Sequence, residues 1–343
     1  MFTSCMGADL GSRNTRLALR DGCFVEPTLV SMAACERSVR CAGAEAEFSE
    51  YGRVAPIKNG CCVNAKLLAA MLSEQCKKHG GRRGSPRNTE LYLALSKATP
   101  YHRLRVFEKA AEAAGFRGMR VLSRPLMGLL GAGEDPLSSK VRMIVDIGAQ
   151  TVNCAAIGSG GILFECSESF GSELAERAIQ NYFASAHRVR IGSRVAELMK
   201  LNLDRLGFTV DGRSLDDGLP RAVNADADAI RAAALGGIGC IVSFAADMIR
   251  LLPPEACSDL ADTGIMLIGG GAKMFGLSEL FESALGIKAQ VAENAETAAA
   301  DGMRRYLFLE KEHRSALMDT CVQLLPNQSP SLIESENAMI DRR

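Results

Sequence analysis

The spacing of apolar and polar positions changes several times along the chain. Gly7-Ala8-Asp9-Leu10 closes an apolar stretch, Gly11-Ser12-Arg13-Asn14 carries turn chemistry, and Thr15 to Arg20 alternates. These features predict a β-hairpin whose first strand ends in an aspartate. Val25 to Met32 predicts another strand. Leu67 to Lys78 has helical spacing and ends in a basic turn, and residues 80–87 read as a solvated basic loop. Glu90 to Leu95 predicts a strand, and Tyr101 to Ala114 an amphipathic helix with Leu104, Phe107, Ala111 and Ala114 on one face. Val121-Leu122 opens a segment that Arg124-Pro125 interrupts, and Leu126 to Gly133 reads as a small-residue helix.

The opening pattern then returns. Val141 to Ile147 is a buried strand with Asp146 near its end, Gly148-Ala149-Gln150 is the turn, and Thr151 to Ile157 is the returning strand. Asp9-Leu10-Gly11 and Asp146-Ile147-Gly148 are two copies of one strand–turn–strand unit, one in each half. Such a duplication predicts a pseudo-symmetric α/β protein with a cleft between its halves. Ile162 to Cys166 predicts a strand, and Glu173–Ala184 and Ser193–Leu203 predict helices. Residues 210–213 and 218–220 read as a loop, and Asp226 to Leu252 as one long helix cut by Pro253-Pro254. A strand at Gly264–Ile268 runs into Gly269-Gly270-Gly271-Ala272. Helices at Leu277–Leu285 and Thr297–Leu309 complete the pattern. The expected division is 1–140 with 300–325 as one domain, 141–299 as the second, and 326–343 as a disordered tail.

Composition narrows the function classes. A chain of 343 residues has room for two domains, and 47% apolar with 23% charged residues fits a globular protein. Lys+Arg and Asp+Glu both number 40, so the basic excess expected of a nucleic-acid binder is missing. The longest uncharged run, Ala232 to Ala246, falls short of the ~18–20 residues a bilayer span needs. With no leader pattern at the N-terminus, the expected location is the cytoplasm. The twelve cysteines show no C-x-x-C pair and the four histidines are scattered, so reduced thiols are expected and a zinc site is not.

The duplicated hairpins carry the candidate chemistry. Two glycine turns from opposite halves would aim main-chain N–H groups at one polyphosphate. Asp9 and Asp146 would then face the cleft, where an aspartate suits Mg²⁺. The Gly269–Gly271 run would let a ribose or flat ring lie against the main chain. Glu197 and Lys200 share a helix face, a spacing that fits nucleoside contacts and equally a surface ion pair.

The set Asp9-Leu10-Gly11-x-x-Asn14-Thr15, Asp146-Ile147-Gly148-x-x-Thr151, Ala196-Glu197-x-x-Lys200, Gly218-Leu219-Pro220, Pro253-Pro254-Glu255 and Gly269-Gly270-Gly271-Ala272 resembles the MreB family of bacterial actin homologues. The resemblance runs from about residue 7 to about residue 310. It implies an actin-like fold holding ATP and Mg²⁺ between two lobes. It also implies self-assembly into filaments at the inner face of the cell membrane, with cell-wall elongation proteins as partners and cell shape as the outcome. Carried over by residue, the phosphate contacts are Gly11, Ser12, Arg13 and Asn14 with Gly148, Ala149, Gln150 and Thr151. The nucleoside contacts are Glu197, Lys200, Gly269, Gly270, Gly271 and Ala272. The metal ligands are Asp9 and Asp146, and the catalytic candidates are Asp146, Thr151 and Ser123.

The departures from the family pattern bear on activity. The second hairpin has Ala149-Gln150 where the family has two glycines, so a Gln150 side chain is expected to crowd the phosphate approach. The family's E-E-P reads Ser123-Arg124-Pro125, which removes the carboxylate that orients the attacking water. Arg13 replaces a small residue, and Asn59-Gly60-Cys61-Cys62-Val63-Asn64 has lost both acids of D-G-V-I-A-D. The membrane-inserting loop is short at Gly43–Pro56, and no amphipathic N-terminal helix is present, so membrane contact is expected to be weak or indirect. The expectation is a nucleotide-binding filament protein with weak or lost hydrolysis. The alternatives are an active ATPase in which Ser123 or Gln150 substitutes, or a small-molecule phosphotransferase on the same fold.

Overall fold

The computed structural model describes residues 4–308, except 34–38, 81–84, 97–98, 159–160 and 206, together with 322–323. The expected tail at 326–343 and the middle of the basic loop lie outside these residues.

Two sheets organise the molecule. The first contains β1 (Ser4–Leu10), β2 (Asn14–Leu19), β3 (Gly22–Pro27), β4 (Thr89–Leu95), β5 (Gly118–Ser123) and the short strand Val322–Gln323. Its order is 322–323, β5, β4, β1, β2, β3. Strands β1, β4 and β5 are parallel, while β1, β2 and β3 form an antiparallel meander. The second contains β6 (Arg142–Ile147), β7 (Val152–Gly158), β8 (Gly161–Glu168), β9 (Ile265–Ile268) and β10 (Ala289–Val291), in the order β8, β7, β6, β9, β10. Here too a meander lies on one side of the central strand and parallel strands on the other.

Strands β1 and β6 have neighbours on both edges and are covered on both faces, which is why they read as apolar runs and not as alternating ones. Asp9 and Asp146 are buried near their carboxyl ends, where open α/β sheets bind ligands. Register repeats as well: Asp9 stands opposite Arg16, and Asp146 opposite Asn153.

The helices cover these sheets. α1 (Ala65–His79) and α2 (Tyr101–Ala114) pack in the first core with β1 and β4. The Asn64 side chain accepts from the N–H groups of Lys66 and Leu67 and so starts α1. α3 (Arg124–Gly131) follows β5 directly, with Pro125 in its first turn where a missing N–H costs nothing. α4 (Glu173–Ala186), α5 (Ser193–Lys200), α6 (Ala227–Gly237) and α7 (Gly239–Arg250) belong to the second half. α8 (Ala298–Phe308) returns to β1, β2 and β3 and crosses α3. The crossing is close: a Cβ on Gly131 would overlap the carbonyl of Ala298, and one on Gly302 the carbonyl of Met127.

Three sequence expectations need correction. Val25–Met32 is not one strand: β3 ends at Pro27, and Val30–Met32 joins a separate three-stranded sheet. Residues 210–213 are strand and not loop, and the turn is confined to 215–219. Gly207–Ser214 and Pro220–Asp226 form an antiparallel hairpin, whose buried Val210, Ser214, Val223 and Ala225 alternate beneath its turn-like residues. The long helix breaks at Ile238 into α6 and α7. The stretch Ala227–Arg250 has 24 residues and a mean hydropathy of 1.8, so by length and composition it could cross a membrane, contrary to the uncharged-run argument. In the fold it buries Ile230, Ala234, Ile241, Val242 and Ala245 in the second core.

Candidate functional site

Both duplicated hairpins line one cavity of about 290 Å³. The first turn is closed by Gly11 N–H donating to the Asn14 carbonyl at 3.1 Å, and the second by Gly148 N–H donating to the Thr151 carbonyl at 2.8 Å. The start of α4 braces the second turn, with Ser172 and Glu173 N–H groups donating to the Gly148 and Ala149 carbonyls. Gly269 completes the wall at φ +86°, a conformation that favours glycine, and its missing Cβ leaves room for Asp146 and the Ile147 carbonyl.

Most sequence-chosen residues meet here. Asp9, Gly11, Ser12, Arg13, Asn14, Asp146, Gly148, Ala149, Thr151, Glu197, Lys200, Gly269, Gly270 and Gly271 line the cavity. Gln150, Ala272 and Ser123 do not. The Gln150 amide turns away, accepting from Asn59 N–H at 2.9 Å and donating to the Glu173 carboxylate at 3.1 Å, so it does not crowd the approach as expected. Ser123 is buried and donates to Glu165 at 3.1 Å. Glu197 and Lys200 do not pair with each other. Buried Lys200 donates to Glu176 at 2.7 Å, whereas Glu197 takes Arg13.

Two arginines that the sequence argument did not place in the site dominate its electrostatics. Arg124, at the first position of α3, sits between the two aspartates. Its Nε is 2.7 Å from Asp146 Oδ2 and its Nη2 is 3.2 Å from Asp9 Oδ1. Arg16 stands 3.7 Å from Asp9 and 3.4 Å from Glu296. Burial alone would lower the Arg124 pKa, but Asp146 and Asp9 outweigh it and raise it. Burial lifts Asp146 above the usual carboxylate range, against the pull of Arg124 and with a push from Asp9. Among the described residues five buried side-chain polar atoms lack an aligned hydrogen-bond partner, and three of them are here: Asp9 Oδ1, Arg16 Nε and Arg124 Nε. Their charges are balanced at ion-pair distance, yet their hydrogen-bonding capacity is unspent.

Arg13, on the first turn, reaches across the cleft. Its guanidinium donates to Glu176 at 2.9 Å and pairs with Glu197 and, at 3.8 Å, Glu173. No local signal marks Arg16 as buried, since it shares its strand phase with exposed Arg20 and not with Leu17 and Leu19. No local signal shows that Arg124 meets Asp9 and Asp146, which are distant in sequence.

The cations Arg16, Arg124 and Lys273 and the two glycine turns fit a polyphosphate. The residues do not fit the divalent metal expected between Asp9 and Asp146. Mg²⁺ demands oxygen ligands at ~2.0–2.1 Å in octahedral array, and the guanidinium of Arg124 already occupies the space facing both carboxylates. No group of three or more His, Cys, Asp or Glu side chains suited to a metal occurs among the described residues.

Duplicated sheets, each with its aspartate at the end of a central strand, facing one shared cleft, define an actin-like fold. Structural comparison supports that class. A crystal structure of MreB 5 of Spiroplasma citri bound to AMPPNP superposes with TM-score 0.84 at 21% identity, covering 93% of this chain and 99% of the other. The MamK double helical filament gives TM-score 0.72 at 18% identity, over 88% and 98% of the two chains. The family described as MreB/Mbl protein matches residues 3–315, and the chain belongs to that family. Relatives include the cell shape-determining protein MreB of Escherichia coli K12, 29% identical over 91% of this chain and 96% of its own length. The cell shape-determining protein Mbl of Bacillus subtilis 168 is 26% identical over 88% and 95%.

Proposed function

We propose that this protein is an ATP-binding, actin-type cytoskeletal subunit with weak or lost hydrolysis. It polymerises into filaments in the cytoplasm, at the inner face of the membrane, and helps determine cell shape by organising cell-wall synthesis. The triphosphate lies between the two glycine turns, and Gly269–Gly271, Glu197 and Lys200 flank the nucleoside. The cell shape-determining relatives, the AMPPNP-bound state of Spiroplasma citri MreB 5 and the double helical filament of MamK support this reading.

One observation carries the hydrolysis claim: every carboxylate lining the cavity is committed to a cation. Asp9 and Asp146 face Arg124, Glu197 faces Arg13, and Glu296 faces Arg16 and Lys273. The oxygens of each carboxylate are turned to its cation, Asp146 included although burial raises its pKa, so none is free to position an attacking water. A neighbouring cavity of about 250 Å³, which shares Arg124 and Thr151, is lined by Asn59, Ser96, Asn153, Ser167 and Ser169 and by no carboxylate among the described residues. Loss of a general base commonly costs ~10²–10⁴-fold in rate. Sedimentation with ATP should pellet filaments while phosphate release stays at background. Release as fast as that of E. coli MreB under the same conditions refutes the claim of lost hydrolysis. A chain that stays in the supernatant with ATP refutes the filament reading.

A further inference from the structure

The two aspartates meant for a metal instead hold a guanidinium, which bears directly on the cofactor this site needs. Asp9 and Asp146 are each 2% exposed, come from opposite sheets, and end their strands at the same cavity. Two carboxylates brought together there without a cation would repel each other in a poorly solvated place. Arg124 supplies that cation from within the chain. Pro125 in the first turn of α3 and the Gly131–Gly302 crossing hold the helix that carries it. A planar guanidinium suits the task, because its fork faces two separate oxygen acceptors at once.

The same group faces the cavity. Arg124 lines it together with Arg16 and Lys273, and the Nε atoms of both arginines have no aligned acceptor. Asp9 Oδ1 lacks an aligned donor as well. Those three atoms are shut off from the cavity, but the cationic groups of Arg16, Arg124 and Lys273 that line it still offer an incoming phosphate oxygen charge-assisted hydrogen bonds. A hydrated Mg²⁺ bound to a nucleotide would instead bring a dication toward an existing guanidinium.

We propose that Arg124 is a built-in counter-cation that replaces the divalent metal, so that the cleft takes the metal-free nucleotide polyphosphate. This rests on the nucleotide reading above and specifies its ligand. Arg124 neutralises Asp9 and Asp146 and presents its remaining N–H groups to the phosphate chain. The nucleotide's affinity then does not depend on magnesium.

Calorimetric titration of the full chain with ATP, once in excess EDTA and once in excess MgCl₂, tests this directly. The expected dissociation constants agree within about threefold, well under the change of a single charged contact. Wild-type binding more than about tenfold weaker in EDTA overturns the proposal. Heat in neither buffer overturns the nucleotide reading itself, so the two failures are distinct. In EDTA, Arg124→Gln should weaken ATP by about ten- to a hundredfold, the size of one charge-assisted contact. Added MgCl₂ should then recover most of the loss, because the freed aspartate pair accepts the ion. Arg124→Lys, which keeps the charge without the fork, should fall between. An unchanged affinity of Arg124→Gln in EDTA also overturns the proposal. Should that variant fail to fold, the wild-type comparison decides alone.

Discussion

Removing Arg13 should loosen the cleft by an amount the structure sets. Its side chain is 33% exposed, while that of Glu176, which it meets at 2.9 Å, is 5% exposed. A hydrogen bond to a charged group contributes ~1.5–3 kcal/mol, and solvent access on the Arg13 side reduces this to roughly 1–2 kcal/mol. Glu176 keeps Lys200 at 2.7 Å, so Arg13→Ala leaves no unpaired buried charge to inflate the effect. The contact joins the first glycine turn to α4, so its free energy should appear as easier opening between the halves. About 1.4 kcal/mol corresponds to a tenfold rise in the open population. Hydrogen exchange at the second turn, Gly148 and the residues beside it, reads that population directly. Exchange should quicken by about tenfold in Arg13→Ala, and the difference should shrink at high salt, where a part-exposed ion pair is screened. A double-mutant cycle with Glu176→Gln should give a coupling of about 1 kcal/mol. Unchanged exchange at low salt, with coupling below about 0.3 kcal/mol, would show that Arg13 does not bridge the halves.

Three further outcomes follow from the cores. Burial would raise the Glu26 pKa, but hydrogen bonds from Lys78, the Ala44 N–H and His79 overrule it and hold it below the carboxylate range. A lowered folded pKa means stability fully present above the unfolded value near 4.5 and lost as pH falls through the folded one; acid melting curves should show this loss in wild type and not in Glu26→Gln. Gln75 is buried with neither amide atom hydrogen-bonded, so Gln75→Leu should raise the melting temperature, by about 1–3 kcal/mol of recovered desolvation, and a lower midpoint in calorimetry refutes this. Gly302→Ala should destabilise by ~3 kcal/mol, because a methyl there meets the Met127 backbone carbonyl, which cannot yield as a side chain does; an unchanged denaturant midpoint would mean α3 and α8 can part freely.

What the sequence made legible was local or repeated. The hairpins could be read because Asp-x-Gly turns are short-range signals and occur twice in matching register. α2 was read at its observed bounds, Tyr101–Ala114, because its apolar stripe and the following Gly115, at φ +85°, mark face and end. The hairpin at 207–226 was missed because Asp211, Gly212 and Pro220 look like turn residues, and only their pairing across the hairpin with Ala222, Arg221 and Arg213 makes them strand. Gln150 was placed in the site, but its direction depends on Asn59 and Glu173, which its own neighbours do not reveal. Ser123-Arg124 was read as a missing carboxylate. What the arginine does instead depends on two residues from distant strands.

Arg13 and Arg124 together change what a ligand has to accomplish. Arg124 ties β1 to β6 through their aspartates, and Arg13 ties the first turn to α4 and α5. Both links exist within the chain before anything binds. A ligand shifts a conformational equilibrium only by the difference between its affinities for the two states. Where intramolecular ion pairs already favour closure, the same nucleotide contacts produce a smaller shift, because little open population remains to be recruited. One guanidinium neutralises the carboxylate pair that would have held a metal. The cations together commit the carboxylates that would have accepted a proton. On the nucleotide reading proposed above, closure would then be a property of the chain more than of the nucleotide, and ATP would act chiefly by occupying the cleft.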